Sequence, residues 1–166
     1  MSTPLRIAPA TESDVPLILS FIRKLAEYEK LSHQVVATEG DIHKNVFGPN
    51  PVAEVLLAYW DGEPVGFALY FRNFSTFVGR AGIYLEDLFV DPDHRGKGIG
   101  KALLIRLSQI AVERGDGSVE WTVLDWNTPS IEFYRSLGAV PLEEWTAYRL
   151  TGEALSRLAL GDRSRP

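Results

Sequence analysis

The stretch Val90-Asp-Pro-Asp-His-Arg-Gly-Lys-Gly-Ile-Gly-Lys101 decides how this 166-residue chain builds its functional site. Three glycines alternate with other residues just before a segment of helical periodicity: Gly96, Gly98 and Gly100. Glycine lets a backbone turn sharply and approach a ligand closely. A helix that begins there points the positive end of its dipole at the same place. With the added charges of Arg95, Lys97 and Lys101, the stretch predicts a loop that binds phosphate groups.

Two other glycine-rich phosphate loops have a different spacing. A nucleoside triphosphate P-loop requires G-x-x-x-x-G-K-[ST], but this chain has Arg95 at the first glycine and Ala102 at the hydroxyl position. The dinucleotide fingerprint G-x-G-x-x-G requires a third glycine where this chain has Lys101. The spacing therefore disfavours both of these nucleotide-binding classes.

The loop resembles the pattern R-G-x-G-[IV]-[GA], the pyrophosphate loop of the GNAT acyltransferase superfamily. The resemblance runs from Leu5 to Leu150 and includes the flanking segments Tyr84–Val90 and Trp126–Gly138. Within the superfamily, the chain is most similar to the diamine and polyamine (spermidine/spermine) acetyltransferases and their thialysine-acetylating relatives. This resemblance implies the GNAT fold, acetyl-CoA as co-substrate and assembly as a homodimer.

Composition is that of a small globular enzyme. Hydrophobic residues make up 45% of the chain, and no apolar run approaches the roughly 20 residues that span a bilayer. The N-terminus lacks the pattern of a signal peptide. We therefore expect one domain over residues 1–160, a polar tail over residues 161–166, a cytoplasmic location and no membrane partner. The net charge of -5 disfavours nucleic acid as a partner and favours small cationic molecules.

Hydrophobic periodicity and turn residues predict strands that alternate with helices. The predicted strands cover residues 5–8, 52–60, 65–71, 83–90, 119–124, 140–142 and 145–150. The predicted helices cover residues 11–30, 38–48, 99–114, 129–137 and 151–160. Asp61-Gly62 indicates a hairpin, and the strand over 83–90, apolar on both faces, is predicted to be central. These elements predict an α/β fold with a mixed central sheet of about six to seven strands flanked by helices.

The resemblance also implies which residues bind acetyl-CoA. Its pantetheine arm is expected beside a splayed strand end formed by Leu88, Phe89 and Val90. Its pyrophosphate is expected on the loop residues Arg95, Gly96, Lys97, Gly98, Ile99, Gly100 and Lys101. Asn127 and Ser130, at the start of the helix that follows the fifth strand, complete this predicted set.

Glu86 is the candidate proton acceptor. A lysine-like amine has a pKa of about 10.4, so near neutral pH its reactive form costs roughly 4 to 5 kcal/mol. Glu86 lies within an apolar strand, where burial is expected to raise its pKa and make it a better base. The alternative is a carboxylate that is hydrogen-bonded for structure. Strand alternation turns Asp87 to the opposite face, and Asp87 is interpreted as structural.

Tyr134 matches the tyrosine that acts as general acid toward the leaving thiolate in similar enzymes. A phenol with a pKa of about 10 protonates a thiolate of about 8.5 only partly, so hydrogen bonding to the developing anion describes its role better. Because Ile131 and Leu137 lie at helical spacing from it, a tyrosine of the core is the alternative.

The Tyr28-Glu29 pair ends the apolar face of the first predicted helix. In similar polyamine enzymes a Tyr-Glu pair at this place contacts the substrate, which makes both residues candidate amine ligands. An ordinary solvated helix end is the alternative. His33, His43 and His94 are too scattered along the chain to suggest a metal site.

The sequence thus predicts an N-acetyltransferase in which a small primary amine attacks acetyl-CoA directly. Diamines or polyamines are the first expected substrates, and thialysine or a related amino acid is the second. The segment 141–148 departs from the polyamine pattern, and a role for Glu143 and Glu144 in cation binding stays open. Protein N-acetylation and a non-catalytic acyl-CoA-binding module remain as alternatives.

Overall fold

The computed structural model describes residues 3–161. The chain divides between Leu124 and Asp125 into two compact units. The first unit contains a sheet with helices, and the second contains two helices and the segment between them. Most of the polar tail predicted over residues 161–166 lies outside the described residues.

The sheet of the first unit has five strands in the order β1-β2-β3-β4-β5. The strands are β1 Leu5–Pro9, β2 Glu54–Trp60, β3 Glu63–Ser75, β4 Arg80–Val90 and β5 Val119–Trp121. Neighbours from β1 to β4 are antiparallel, whereas β5 runs parallel to β4. The mixed sheet is confirmed. Strand β4 is paired on both sides as expected, but β3 occupies the middle of the sheet.

Six to seven strands was an overestimate for the described chain. Residues 140–142 and 145–150 form no strand, and β5 ends at Trp121 rather than at residue 124. The apolar pattern in 140–150 is typical of a strand, but a strand also needs a neighbour that accepts its backbone hydrogen bonds. Every residue from Val140 to Leu150 is exposed in this structure.

Most helices begin and end close to their predicted bounds, but the second one ends as an α-helix at Ile42 and continues as a π-helical turn over His43–Phe47. The first unit holds α1 Val15–Tyr28, α2 Glu39–Ile42 and α3 Ile99–Arg114, and the second unit holds α4 Thr128–Ser136 and α5 Gly152–Ala159. Thr11 precedes a short 3-10 turn that leads into α1, and its backbone N–H donates to Asp14 at 2.7 Å. Thr38 and Asp41 form the same reciprocal cap before α2. Both helix starts therefore follow from local sequence.

Phe21 of α1 anchors this helix on one face of the sheet. Its ring stacks on Phe67 of β3 at 5.5 Å between centroids and lies 6.0 Å from the ring of Phe89 on β4. These side chains belong to one buried cluster that also includes Ile18 and Leu57. Because Phe89 lies one residue before the end of β4, this packing holds α1 against the strand end that leads into the glycine loop.

Candidate active site

The glycine loop has the geometry of an anion-binding turn. Gly96 and Gly98 have φ values of 78° and 80°, a left-handed backbone that side chains disfavour. Gly98 directly precedes α3, and the first helical bond runs from the N–H of Ala102 to the Gly98 carbonyl at 2.9 Å. The preceding N–H groups of the helix therefore lack intrahelical acceptors and can receive a phosphate oxygen.

The predicted cofactor residues divide into backbone and side-chain contributors. Ile99 is 1% exposed and Phe89 is 4% exposed, so both side chains belong to the core and only their backbone can meet a ligand. The cationic side chains of the loop are exposed: Arg95, Lys97 and Lys101. A side chain at Gly100 would come no closer than 3.9 Å to the Val90 side chain, so Gly100 is not required for space.

A register shift interrupts the β3–β4 ladder at Glu86. Leu69 pairs with Asp87, and the next residue, Tyr70, pairs with Leu85. Glu86 is therefore an extra residue in β4 with no partner on β3, which is the arrangement of a β-bulge. On its other edge, β4 pairs with β5 only over residues 83–85. That edge of β4 is therefore open after Leu85 among the described residues. Within residues 3–161, no strand therefore pairs with the predicted splayed end, Leu88–Val90, on its β5 side.

The burial of these side chains reverses the interpretation of the two neighbouring carboxylates. The expectation that Glu86 is buried was wrong, because Glu86 is exposed. Asp87 is partly buried, and burial, followed by the charges of Glu86 and Glu29, raises its pKa from 3.8 to about 7. Asp87 was interpreted as structural, yet it is the perturbed carboxyl. The Glu-Asp pair was the only sequence signal, because alternation places the two side chains on opposite faces of the strand but does not say which face is covered by a helix.

Glu29 extends this group of acidic residues. It follows the last residue of α1, and burial raises the pKa of its carboxyl. The charge of Glu29 also raises the pKa of Asp87. Carboxylates from the end of α1 and from β4 therefore repel one another. The three carboxylates, Glu29, Glu86 and Asp87, are named here the acidic cluster. A bound cation would relieve their mutual repulsion.

Tyr28 lies against the glycine loop. The guanidinium carbon of Arg95 is 4.7 Å from the centroid of the Tyr28 ring and 5.7 Å from that of Phe89. The Nε atom of Arg95 donates to the backbone carbonyl of Val90 at 3.0 Å. The structure therefore connects the end of α1 to a residue of the predicted cofactor loop.

Tyr134, Asn127 and Ser130 belong to the second unit. Asn127 precedes α4 and is 6% exposed, and its carbonyl accepts from the N–H of Ile131 at 3.1 Å. Ser130 and Tyr134 are half-buried, and the Tyr134 ring lies 5.6 Å from that of Phe133. The predicted helix that carries these residues is confirmed.

Residues 3–161 contain no group of three or more His, Cys, Asp or Glu side chains that could hold a metal ion. Over the same residues, no helix is both long and apolar enough to cross a membrane.

Comparison with known proteins agrees with this geometry. Residues 22–139 match the Acetyltransferase (GNAT) family. The thialysine N-epsilon-acetyltransferase of Sus scrofa is 43% identical, with 92% of this chain and 96% of that protein covered. The L-ornithine N5-acetyltransferase of Arabidopsis thaliana is 32% identical, with 92% and 87% covered. Among solved structures, an integron cassette protein of V. cholerae superposes with a TM-score of 0.79 at 29% identity, covering 95% of this chain and 99% of that one.

The family match spans most of the chain and contains the glycine loop, the β4 bulge and helix α4. The two relatives named as acetyltransferases align with this chain over most of their own length. The α/β architecture expected from the sequence is the one that these comparisons select. This chain is a member of the GNAT family of N-acetyltransferases and transfers an acetyl group to an amine.

Proposed function

We propose that the protein acetylates the side-chain amine of a small amino acid of the thialysine type, with acetyl-CoA as donor. The acidic cluster is the observation that carries this proposal. Asp87, Glu29 and Glu86 together favour an ammonium ion over a neutral or anionic acceptor. The relatives named for thialysine and ornithine support the amino-acid class, because each covers at least nine-tenths of this chain.

The acidic cluster also supplies a proton acceptor. The ammonium transfers one proton to a carboxylate, and the freed lone pair attacks the carbonyl carbon of the thioester. The new C–N bond forms as the C–S bond breaks, and the sulfur leaves as a thiolate. The acylated nitrogen then releases its remaining extra proton, which protonates the thiolate, so that the products are a neutral amide and the free thiol of CoA. A base with a pKa near the working pH is the most effective one, and the pKa of Asp87 is about 7. We therefore assign proton acceptance to the adjacent pair, with Glu86 at the bulge and Asp87 beside it.

Tyr134 is proposed to hydrogen-bond the sulfur as its charge develops. Its position on α4, seven residues after the capping residue Asn127, is the one that similar enzymes use for this purpose. Asn127 and Ser130 at the start of the same helix are proposed to contact the cofactor. An O–H donor aimed at a developing anion stabilises the transition state more than the bound substrate.

Acetyl-CoA is proposed to bind across the glycine loop and the open edge of β4. The left-handed turns at Gly96 and Gly98 place backbone donors at the start of α3. No strand pairs with residues 88–90 on the β5 side within the described residues, so backbone groups of this segment are proposed to bond the amide groups of pantetheine. No metal is needed for this chemistry, because the thioester is already activated toward amines.

Diamines or polyamines are the second candidate class. Three carboxylates carry more negative charge than one ammonium group balances. A second cationic nitrogen would pair with the remaining charge. An amino-acid substrate instead needs a positive group for its α-carboxylate. The two classes of substrate therefore differ in the charge at the end that does not react, and the enzyme must bind that charge.

A thiol-release assay with acetyl-CoA tests the proposal. We would compare kcat/KM for thialysine, ornithine, lysine, putrescine, spermidine and a peptide amine at one pH. The highest value is expected for thialysine or ornithine. A preference for putrescine or spermidine would move the assignment to polyamines, and a preference for the peptide would indicate protein acetylation. Acetyl-CoA binding without release of thiol from any amine would indicate a non-catalytic module.

We also propose that the enzyme is a homodimer. Within residues 125–161 no apolar side chain is buried. Large apolar side chains are exposed instead, with Trp145 at 73% and Tyr148 at 95%. An apolar surface of this extent on a small unit is typical of an association surface. The proposed partner is a second copy, since the strand-like segment 140–150 has no neighbouring strand among residues 3–161.

A further inference from the structure

Two cationic contacts join α1 to the turn that precedes the glycine loop. Lys24 donates to the carboxylate of Asp91 at 3.0 Å, where β4 has just ended. Four residues later on the same helix face, the Tyr28 ring lies under the Arg95 guanidinium at 4.7 Å. Helix α1 is therefore attached to both ends of the segment 91–95. This segment carries the chain from the sheet into the left-handed turn at Gly96.

Arg95 is held on several sides while its charge stays accessible. Its Nε bonds the Val90 carbonyl, and the rings of Tyr28 and Phe89 lie within 6 Å of its guanidinium carbon. A guanidinium has five N–H donors in a planar fork, so the Nη atoms can serve a phosphate without breaking the Nε bond. The residue remains exposed to solvent.

We propose that Tyr28 is a positioning residue for acetyl-CoA, which holds the Arg95 guanidinium in place for the pyrophosphate, rather than solely a contact of the amine substrate. This inference rests on the proposed binding of acetyl-CoA to the glycine loop. An arginine that is already fixed loses less side-chain freedom when the phosphate binds. Tyr28 therefore contributes to cofactor affinity through Arg95, without touching the cofactor itself.

The ring, and not the hydroxyl, should carry this effect. A cation–π contact at an exposed site corresponds to about a two- to fivefold change in affinity. Tyr28→Leu removes the aromatic face, whereas Tyr28→Phe keeps it. We expect the dissociation constant for CoA to rise about two- to fivefold in Tyr28→Leu and to stay near the wild-type value in Tyr28→Phe. Tyr59→Leu is the matched control, because Tyr59 forms a cation–π pair with Arg6 at 4.1 Å that is separate from the loop.

A double-mutant cycle with Arg95→Met separates positioning from direct contact. Calorimetric titration with CoA is run on wild type, both single variants and the double variant, each checked for folding by thermal melting. If Tyr28 acts through Arg95, then Tyr28→Leu has no further effect on CoA affinity once Arg95 is replaced. An equal loss in both backgrounds would overturn the proposal. So would a variant whose KM rises for the amine alone while CoA affinity is unchanged.

Tyr28→Phe keeps the test decisive if the leucine variant unfolds. A phenylalanine variant with clearly weakened CoA binding and a normal melting temperature would contradict the role of the ring. Failure of the wild-type protein to bind CoA at all would instead overturn the proposed function. The two failures are therefore distinguishable in the same titration.

Discussion

Asp87 stands opposite Leu69 in the β3–β4 ladder, although the adjacent pair joins Leu85 to Tyr70. Residues that pair directly share a face of the sheet, and Leu69 packs on the cluster beneath α1. Asp87 therefore faces the helix whose end carries Glu29, and the charge of Glu29 acts on it. Asp87 lies two residues from Phe89 in unbroken register, so both side chains are on the face that packs against α1.

The stability of the protein should depend on the ionisation of Asp87. Its pKa is about 7 in the folded chain against 3.8 for the ordinary group, so the folded state retains a proton that the unfolded state releases. This contribution to the free energy of unfolding falls as pH rises from about 4 to about 7. Asp87→Asn should thus melt higher than wild type at about pH 8, with a smaller gain at about pH 5. The exposed residue Glu63 supplies the control Glu63→Gln. Equal gains for Asp87→Asn at both pH values would show that Asp87 does not titrate in this range.

Glu86→Gln and Asp87→Asn should both change the pH dependence of acetylation. Loss of a proton acceptor matters most near neutral pH and least at high pH, where the amine loses its own proton. We expect kcat/KM of either variant to approach the wild-type value as pH rises toward about 10. The measurement is a pH series of the thiol-release assay at saturating acetyl-CoA. A uniform loss for one residue at every pH would assign it to binding, and no loss at all would make it structural.

Gly98→Val should weaken acetyl-CoA binding through the backbone. The φ of 80° at Gly98 disfavours any residue with a Cβ, and a β-branched one most, so the loop must change conformation. We expect an affinity loss of about tenfold or more in calorimetric titration. Gly115 has a φ of 75° at the other end of α3, and Gly115→Val controls for the general cost of a strained turn. Unchanged affinity in Gly98→Val would remove the loop from the cofactor site.

Tyr134→Phe should reduce kcat about ten- to a thousandfold with little change in acetyl-CoA affinity or melting temperature. Only the hydroxyl is lost, and the half-buried ring keeps its packing beside Phe133. Tyr59→Phe is a matched control, because Tyr59 is also half-buried but lies on strand β2. A large drop in melting temperature for Tyr134→Phe would indicate a core tyrosine. The leaving thiolate would then require another donor or water.

Replacement of Trp145 should shift the oligomeric state. Light scattering during gel filtration should give the wild type a mass near twice 18.5 kDa. Trp145→Ser removes a large apolar group that is 73% exposed in one chain, so we expect dissociation toward the monomer at low concentration. Val36→Ser, at an 86% exposed apolar residue of the first unit, is the control. A wild-type monomer would refute the proposed dimer.

Local chemistry was enough to predict most elements of the fold. The glycine loop, the Asp61-Gly62 hairpin and the reciprocal caps at Thr11 and Thr38 each depend on residues within a few positions of one another. The same holds for α3, which runs from Ile99 to Arg114 as its periodicity predicts. Such features can be read from sequence because their hydrogen bonds close within a single turn.

The segment 140–150 shows the limit of this reasoning. Val140 with Leu142, and Tyr148 with Leu150, have the two-residue spacing of strands, but no strand forms there in the described chain. Strand formation depends on a partner that is distant in sequence, and periodicity contains no information about that partner. The overestimate of the strand number comes from this one segment.

The sequence by itself determined the family, the anion-binding loop and the residue types available for catalysis. Only the tertiary structure decided which carboxyl group has a raised pKa and which aromatic ring contacts the glycine loop. The pairing of β3 with β4 leaves Glu86 without a partner on β3, and the packing of α1 on the sheet buries Asp87 and brings Tyr28 to Arg95. Burial, local charge and ring contacts arise between residues far apart in the chain, so their energies exist only after the sheet and the helix have packed together.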